Sequence, residues 1–296
     1  MLWVLFTLLN LFLWSFGNII DKILLNKVVK NPLSYYIFSV MFQTLFIIFV
    51  FLIVNPVFTL EFLFLSFISG LLGGAAFLLF LVALQKEEAS VIVPISYLGN
   101  VFIVVLSYVF LNEAFELSKY IGIAFLITGS IILSYKKSKT KLRFTPALFY
   151  IILSSLCFAA GTVFNKYALN FINPWTFLIF GMSGAYFLSL FLLLKQEIRE
   201  GFFDCLKLNK KYYFITGVSQ VFGMGGFAAL LIALSLGPAT LVSSMSATKP
   251  LVILILTIIL SVFVPHIFKE KIDRKTLAAK IFSTFLIIIG AILTVL

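Results

Sequence analysis

Lys249, followed at once by Pro250, falls about eleven residues into an apolar run at 239–264, where a cation is costly. A charge at that depth in hydrocarbon costs a few kcal/mol on insertion scales, and such a side chain turns toward a cavity or a partner. Mid-run it is too deep to reach the interface by snorkelling. Pro250 has no backbone N–H, so it frees a carbonyl one turn earlier and predicts a kinked, polar segment around Ser246. Two roles are open to Lys249: it lines an interior cavity and meets an anionic group, the reading preferred here, or it is a structural lysine bonded to carbonyls. Other polar side chains also sit near the centres of apolar runs: Asn10, Gln43, Tyr97, Asn100, Gln220, Ser244, Ser246 and Thr248. In lipid such groups seek partners across helices at roughly 1 kcal/mol each, so interhelical bonding is the default for any one of them. Trp14, in mid-run, fits a cavity wall or an interface belt; Tyr35, near the start of a run, reads as a belt residue.

Catalytic chemistry is not visible in the chain. His266 is the only histidine and reads as a loop residue, and Cys157 and Cys205 are too few for a disulfide framework or a metal site. No Gly-x-x-x-x-Gly-Lys-Ser/Thr phosphate loop occurs, so the chain cannot by itself couple to ATP. All eleven acids fall at or near the ends of apolar runs. With no nucleophile–base pair and no ligand cluster, the expectation is no catalytic residue, no metal and no cofactor.

The elements that must position these residues follow from composition. Of 296 residues, 62% are hydrophobic and 11% charged, whereas soluble domains are roughly 45–50% apolar and about 25% charged. The apolar content forms successive runs long enough to cross about 30 Å of hydrocarbon. We read ten spans, near 2–20, 33–54, 62–84, 90–111, 118–135, 146–168, 175–195, 212–236, 239–264 and 277–296. The fold class is an all-α polytopic membrane protein, because backbone groups in lipid must be satisfied within the chain and the runs lack the period-two alternation of barrel strands. The first run has no basic segment before it and no small-residue cleavage site after it, so it reads as a helix and not a signal peptide.

The halves repeat each other. Gly73-Gly74-Ala75-Ala76-Phe77 and Leu81-Val82-Ala83-Leu84 match Gly223-Met224-Gly225-Gly226-Phe227 and Leu231-Ile232-Ala233-Leu234 at an offset of 150. Gly17, Asp21, Lys22 and Asn26 match Gly161, Asn165, Lys166 and Asn170 at an offset of 144, and each set is followed by Asn-Pro, Asn31-Pro32 and Asn173-Pro174. The expected units are 1–135 and 146–296, joined by a basic linker at 136–145. Five spans is an odd number, so the two copies are expected to lie inverted in the membrane, an arrangement that places a site near the midplane between them. Nineteen of the 22 basic residues fall in loops after odd-numbered spans; only Lys119, Lys166 and Lys249 do not. The net charge of +11 therefore reports orientation, with both termini outside, and not nucleic-acid binding.

Each unit closes on small residues, a proline-bearing helix, an acidic turn and a glycine-bearing last helix. The first has Glu88-Ala89-Ser90-Val91, Pro94, Leu111-Asn112-Glu113 and Gly122 to Gly129; the second has Gly237-Pro238-Ala239-Thr240-Leu241-Val242, Pro250, Lys269-Glu270 and Gly290. On these residues the chain resembles, over nearly its whole length, the ten-helix EamA-type proteins of the drug/metabolite transporter superfamily. It departs from them at Asn100, where the first copy often carries a second proline, and around Asn55-Pro56, where many relatives place basic residues. The resemblance implies that the fourth, eighth and ninth helices line the cavity. That makes Lys249, Tyr97, Asn100, Gln220 and Ser246 the leading substrate-binding candidates, followed by Thr248, Asn10, Gln43 and Trp14. Gly73, Gly74, Gly223, Gly225, Gly226, Pro94 and Pro250 are expected to serve packing and gating. Glu113 and Glu270 are expected to anchor helix ends or loops, and Asp21-Lys22 to form a solvated interface pair.

Small multidrug relatives exchange protons through a mid-membrane acid that this chain lacks, so cation/proton antiport is not expected. The resemblance implies a secondary transporter of a small anionic or zwitterionic metabolite, working by alternating access. The rivals are an exporter of hydrophobic or cationic compounds, which Lys249 would repel, and, from a different class, a lipid-modifying membrane enzyme or a scaffold. Expected partners are a small-molecule substrate and the lipid bilayer of the cell membrane, not nucleic acid, with the chain a monomer or weak homodimer.

Overall fold

Asn-Pro begins a helix twice in this chain, for the same reason both times. In a computed structural model, Asn31 and Asn173 are N-caps whose side chains accept from Leu33 N and Thr176 N, and the prolines follow at the first helical turn, where no N–H is needed. The structure describes residues 2–27, 31–57, 59–87, 89–134, 145–263 and 274–295. The linker apart from Thr145, together with His266 and Glu270, lies outside them, as does the side chain of Lys22.

Thirteen helices are present among the described residues: α1 (Leu2–Lys27), α2 (Pro32–Val54), α3 (Leu60–Lys86), α4 (Ala89–Ser96), α5 (Leu98–Leu111), α6 (Leu117–Ser134), α7 (Pro146–Ala168), α8 (Pro174–Leu192), α9 (Gln196–Leu206), α10 (Lys210–Leu236), α11 (Ala239–Ser246), α12 (Lys249–Phe263) and α13 (Arg274–Val295). Eight segments are long and apolar enough to cross a membrane; α4 with α5 makes one of them and α11 with α12 another. Shorter apolar stretches lie at Leu117–Leu133 and Ile281–Val295, within the other two of the ten runs read from the sequence. The protein is an all-α polytopic membrane protein. Leu45, Phe49, Leu52, Phe64, Leu190 and Phe214 are among its many exposed apolar side chains, as lipid contact requires.

The structure corrects the sequence reading in three places. The fourth and ninth spans are each two helices. The fourth breaks at Tyr97, where i→i−3 bonds (Tyr97 N to Pro94 O, Asn100 N to Tyr97 O) replace the regular ladder one turn past Pro94. The ninth breaks at Ala247 and Thr248, where the kink at Pro250 is expected, but as a full division into two helices. The first span runs on to Lys27, beyond the apolar stretch. Finally, α9 occupies what reads as a loop. It buries Ile198 and Cys205 against the start of α2, where Ser34 Oγ donates to Ile198 O at 2.9 Å and Gly201 leaves room for Ser34. Burial, and after it the Asp204 charge, pushes the Cys205 thiol up from its ordinary pKa.

Packing is organised by crossings that recur at the offsets of the sequence repeat. α1 lies along α10, α3 along α7, and α6 along α13. Asn10 Nδ2 donates to Gly226 O at 2.8 Å between α1 and α10; 144 and 150 residues away, Ser154 Oγ donates to Ala76 O at 2.7 Å between α7 and α3. Ser219 donates to Asp21, and Ser69 to Asn165, at the same offsets. Gly17 faces Gly223 and Gly161 faces Gly73. The glycines do not all do the same work. A Cβ at Gly70 would run into the Gly181 carbonyl and one at Gly184 into the backbone of Leu71, so α3 and α8 meet backbone on backbone. A Cβ at Gly73 would meet nothing within 4 Å. Gly70→Ala should therefore lower the melting temperature of the detergent-purified protein by several degrees, overpacking of this kind costing about 1–3 kcal/mol. Gly73→Ala should leave it unchanged; equal melting of the two variants in a fluorimetric scan would contradict the crossing.

Candidate functional site

The break in the ninth span sets the site. Pro250 cannot donate to the Ser246 carbonyl, and the backbone re-forms through Ala247 N to Ser243 O at 3.2 Å and Thr248 N to Met245 O at 3.0 Å. The Ala247 carbonyl is met from another helix: Ser130 Oγ of α6 lies 2.5 Å from it and 2.7 Å from Leu126 O, its proton available to either. Irregular backbone is thus satisfied by protein and not by lipid. The other end of α11 is capped from outside as well. Glu113, just after α5, accepts from Ala239 N at 2.7 Å and from Thr240 N at 2.9 Å, a carboxylate on two free N–H groups at the positive end of the helix. The same region carries Lys166, whose Nζ donates to Leu234 O at 2.7 Å in the last turn of α10 and which feels the Glu113 charge. Glu113 is therefore a helix anchor, and Lys166 is bonded inward.

Lys249 begins α12 at this break, half-buried, with its Nζ 4.6 Å from the centroid of the Trp14 ring. A desolvated cation over an indole gains about 2 kcal/mol or more. Trp14 can reach that position because α1 and α10 approach closely at Gly226, where a Cβ would stand 3.1 Å from Trp14 N. Among the described residues the acid that acts on Lys249 electrostatically is Asp21, which like Trp14 is on α1. The two do not form an ion pair: among the described residues the only pair within 4.0 Å is the exposed Lys207–Asp204 at 3.5 Å.

Asp21 anchors a polar network. Tyr35 Oη of α2 donates to Asp21 Oδ1 at 2.7 Å, and Ser219 Oγ of α10, also 3.1 Å from Gly17 O, lies 2.5 Å from the same oxygen. The Thr216 and Gln220 side chains lie near the Tyr35 hydroxyl, and Gln43 Nε2 donates to Gln220 Oε1 at 2.8 Å. Two expectations are overturned here. Tyr35 is 6% exposed and not a belt residue, because its hydroxyl has a partner inside the bundle. Asp21 faces inward between three helices and not outward in a solvated pair, because helix rotation and the position of Ser219 decide where it points.

The structure brings Lys249 and Trp14 together, and places Gln43 and Gln220 in the Asp21 network. It puts the other candidates elsewhere. Asn10 holds α1 to α10 through Gly226 O. Ser246 and Thr248 turn back onto Val242 O and Met245 O of their own helix. Tyr97 stands at the break of the fourth span beside Ile123, Ile127 and Leu241, with Asn100 buried one turn on. Among the described residues no three His, Cys, Asp or Glu side chains gather as a metal site. What the arrangement can do is hold opposite charges, at two points, in the interior of a membrane protein.

The fold and site define a polytopic helical protein with a charged, polar interior. The EamA-like transporter family pattern matches residues 1–135 and 145–296, so the chain belongs to that family. It is 42% identical over 69 residues, 23% of its length, to an uncharacterised protein of Methanocaldococcus jannaschii, and 33% identical over 67 residues, also 23%, to an uncharacterised transporter of a Sinorhizobium species. Those matches span about half the length of each relative, 50% and 48%. A crystal structure with 14% sequence identity shares the fold at a TM-score of 0.73, covering 98% of this chain and 94% of the other. Within this fold Glu113 supports the break that positions Lys249. Glu113→Ala should destabilise the protein by about 1–2 kcal/mol, as loss of a helix cap does, and speed amide exchange over residues 239–246. Exchange there at the wild-type rate would show that the cap is dispensable.

Proposed function

We propose that the protein is a secondary transporter that moves a small metabolite bearing an anionic group, by alternating access between two inverted five-helix units, 1–135 and 146–296. Lys249 is the anchor for that group. The observation that carries this reading is the placement of Lys249: a cation on a broken transmembrane helix, set over Trp14 and given no carboxylate within ion-pair distance among the described residues. A lysine needed only for structure would be bonded to carbonyls, as Lys166 is to Leu234 O. The recurrence of α1–α10 contacts between α7 and α3 supports two equivalent units exchanging partners. No ATP-binding loop and no reactive cluster is invoked; the binding energy of the solute drives the exchange of states.

Lys249→Gln and Lys249→Ala should insert and remain monodisperse, yet lose stabilisation by carboxylates and phosphates and lose uptake of the same solutes in liposomes. Near-normal uptake in both would end the proposal; stabilisation by lipophilic cations alone would favour the exporter reading. Localisation belongs to the same proposal: the chain lies in the cell membrane with both termini outside, a reading that the bias of the loop lysines supports. In a Cys157→Ser/Cys205→Ser background, a cysteine placed at 141 should react with an impermeant maleimide only after the cells are opened. Labelling of intact cells would reverse the orientation.

A further inference from the structure

We infer that Asp21 is the second pole of the site and that the transported solute is a zwitterion, its ammonium held at Asp21 and its carboxylate at Lys249. The inference rests on the reading of Lys249 as anchor. Its first support is a comparison internal to the chain. Asp21 and Ser219 bond between α1 and α10, and Asn165 and Ser69 bond between α7 and α3 at offsets of 144 and 150. The neutral Asn165 meets the same structural need, so holding the helices does not call for the charge of Asp21. A buried carboxylate costs several kcal/mol in desolvation, more than an amide in the same place. Lys249 is likewise confined to one copy: aligned on Pro250 and Pro94, its counterpart is Val93. Asp21 and Lys249, which act on each other, both depart from the repeat.

The second support is how each charge is left. Both donors to Asp21 fall on Oδ1, so among the described residues Oδ2 accepts no hydrogen bond. Lys249 Nζ rests on the Trp14 face and has no hydrogen-bond acceptor among them. The ammonium and carboxylate feel each other but stay out of contact. A lone anion at Lys249 would be opposed by Asp21, and a lone cation at Asp21 by Lys249; a solute carrying both charges meets neither penalty.

The test is thermal stabilisation and liposome uptake with the twenty proteinogenic amino acids, each compared with its deaminated acid and its methyl ester. At least one amino acid should raise the melting temperature by several degrees and be taken up, while its two singly charged analogues should not. Asp21→Asn should weaken the amino acid at least tenfold, about 1.4 kcal/mol, and admit the deaminated acid. Asp21→Glu should recover part of the loss. Asn165→Asp, the matching charge in the other copy, should leave amino-acid binding within about twofold of wild type. Three results would overturn the inference: no amino acid binding, a deaminated acid binding wild type as well as its parent, or a monodisperse Asp21→Asn that binds normally. In the last case, loss of the pH dependence of uptake would mark Asp21 as a proton site. Lys249→Gln separates the two readings: normal amino-acid binding there removes the anchor, whereas loss there with a normal Asp21→Asn removes only the second pole.

Discussion

A break in a transmembrane helix must be satisfied by protein, because hydrocarbon offers its backbone nothing. The ninth span meets this constraint from three sides: Ser130 reaches the Ala247 carbonyl, Glu113 caps the start of α11, and the chain's own i→i−3 bonds carry it to Thr248. Only because the break is held in this way can Lys249 begin a new helix inside the bundle and lie over Trp14. A continuous helix would have no reason to place a charge there. The costs of the proline and of the lysine are thus met together, by contacts from α5, α6 and α1.

The second constraint is close approach. α1 and α10 meet where Gly226 leaves room for the Trp14 backbone and where Gly17 faces Gly223, and the same crossing recurs where Gly161 faces Gly73. The repeated crossing accounts for the helix order without any charge. What differs between the copies is chemistry at fixed positions: Asp21 against Asn165, Gln220 against Gly70, Tyr35 against Phe177 when aligned on the Asn-Pro caps. The polar network lies in one copy of a crossing whose other copy does with neutral and apolar residues.

The sequence made the spans legible because a membrane helix is written locally, as an apolar run of the right length, with Asn-Pro before two of them. The break at Pro250 was legible for the same reason, since a missing N–H acts one turn away. The amphipathic α9 was not, because its pattern mixes polar and apolar residues between two long runs, and its helical state rests on burial of Ile198 and Cys205 against α2. Asp21 was misread because it ends an apolar run, where an acid is usually solvated. Its partner Ser219 lies 198 residues away, and no local pattern tells which way a residue at the end of an apolar run faces. The same distance rule hid Tyr35, whose hydroxyl is occupied only because α1 and α10 converge on it.

The two seams beside these crossings are built differently, which bears on how the proposed cycle could move. α3 lies along α8 over a long stretch, locked where Gly70 meets Gly181 and Gly184. α10 touches α2 over a shorter one, joined by the hydrogen bond that Gln43 Nε2 donates to Gln220 Oε1 and by Phe42 standing 3.4 Å from where a Gly217 Cβ would be. Backbone-on-backbone packing has no alternative arrangement of similar energy, whereas an amide pair at roughly 1 kcal/mol can be exchanged for a solute or water. A rocking motion should therefore part α2 from α10 before it parts α3 from α8. That seam is the one whose network ends at Asp21, so occupation of the charged site and loosening of the bundle would act on the same few side chains.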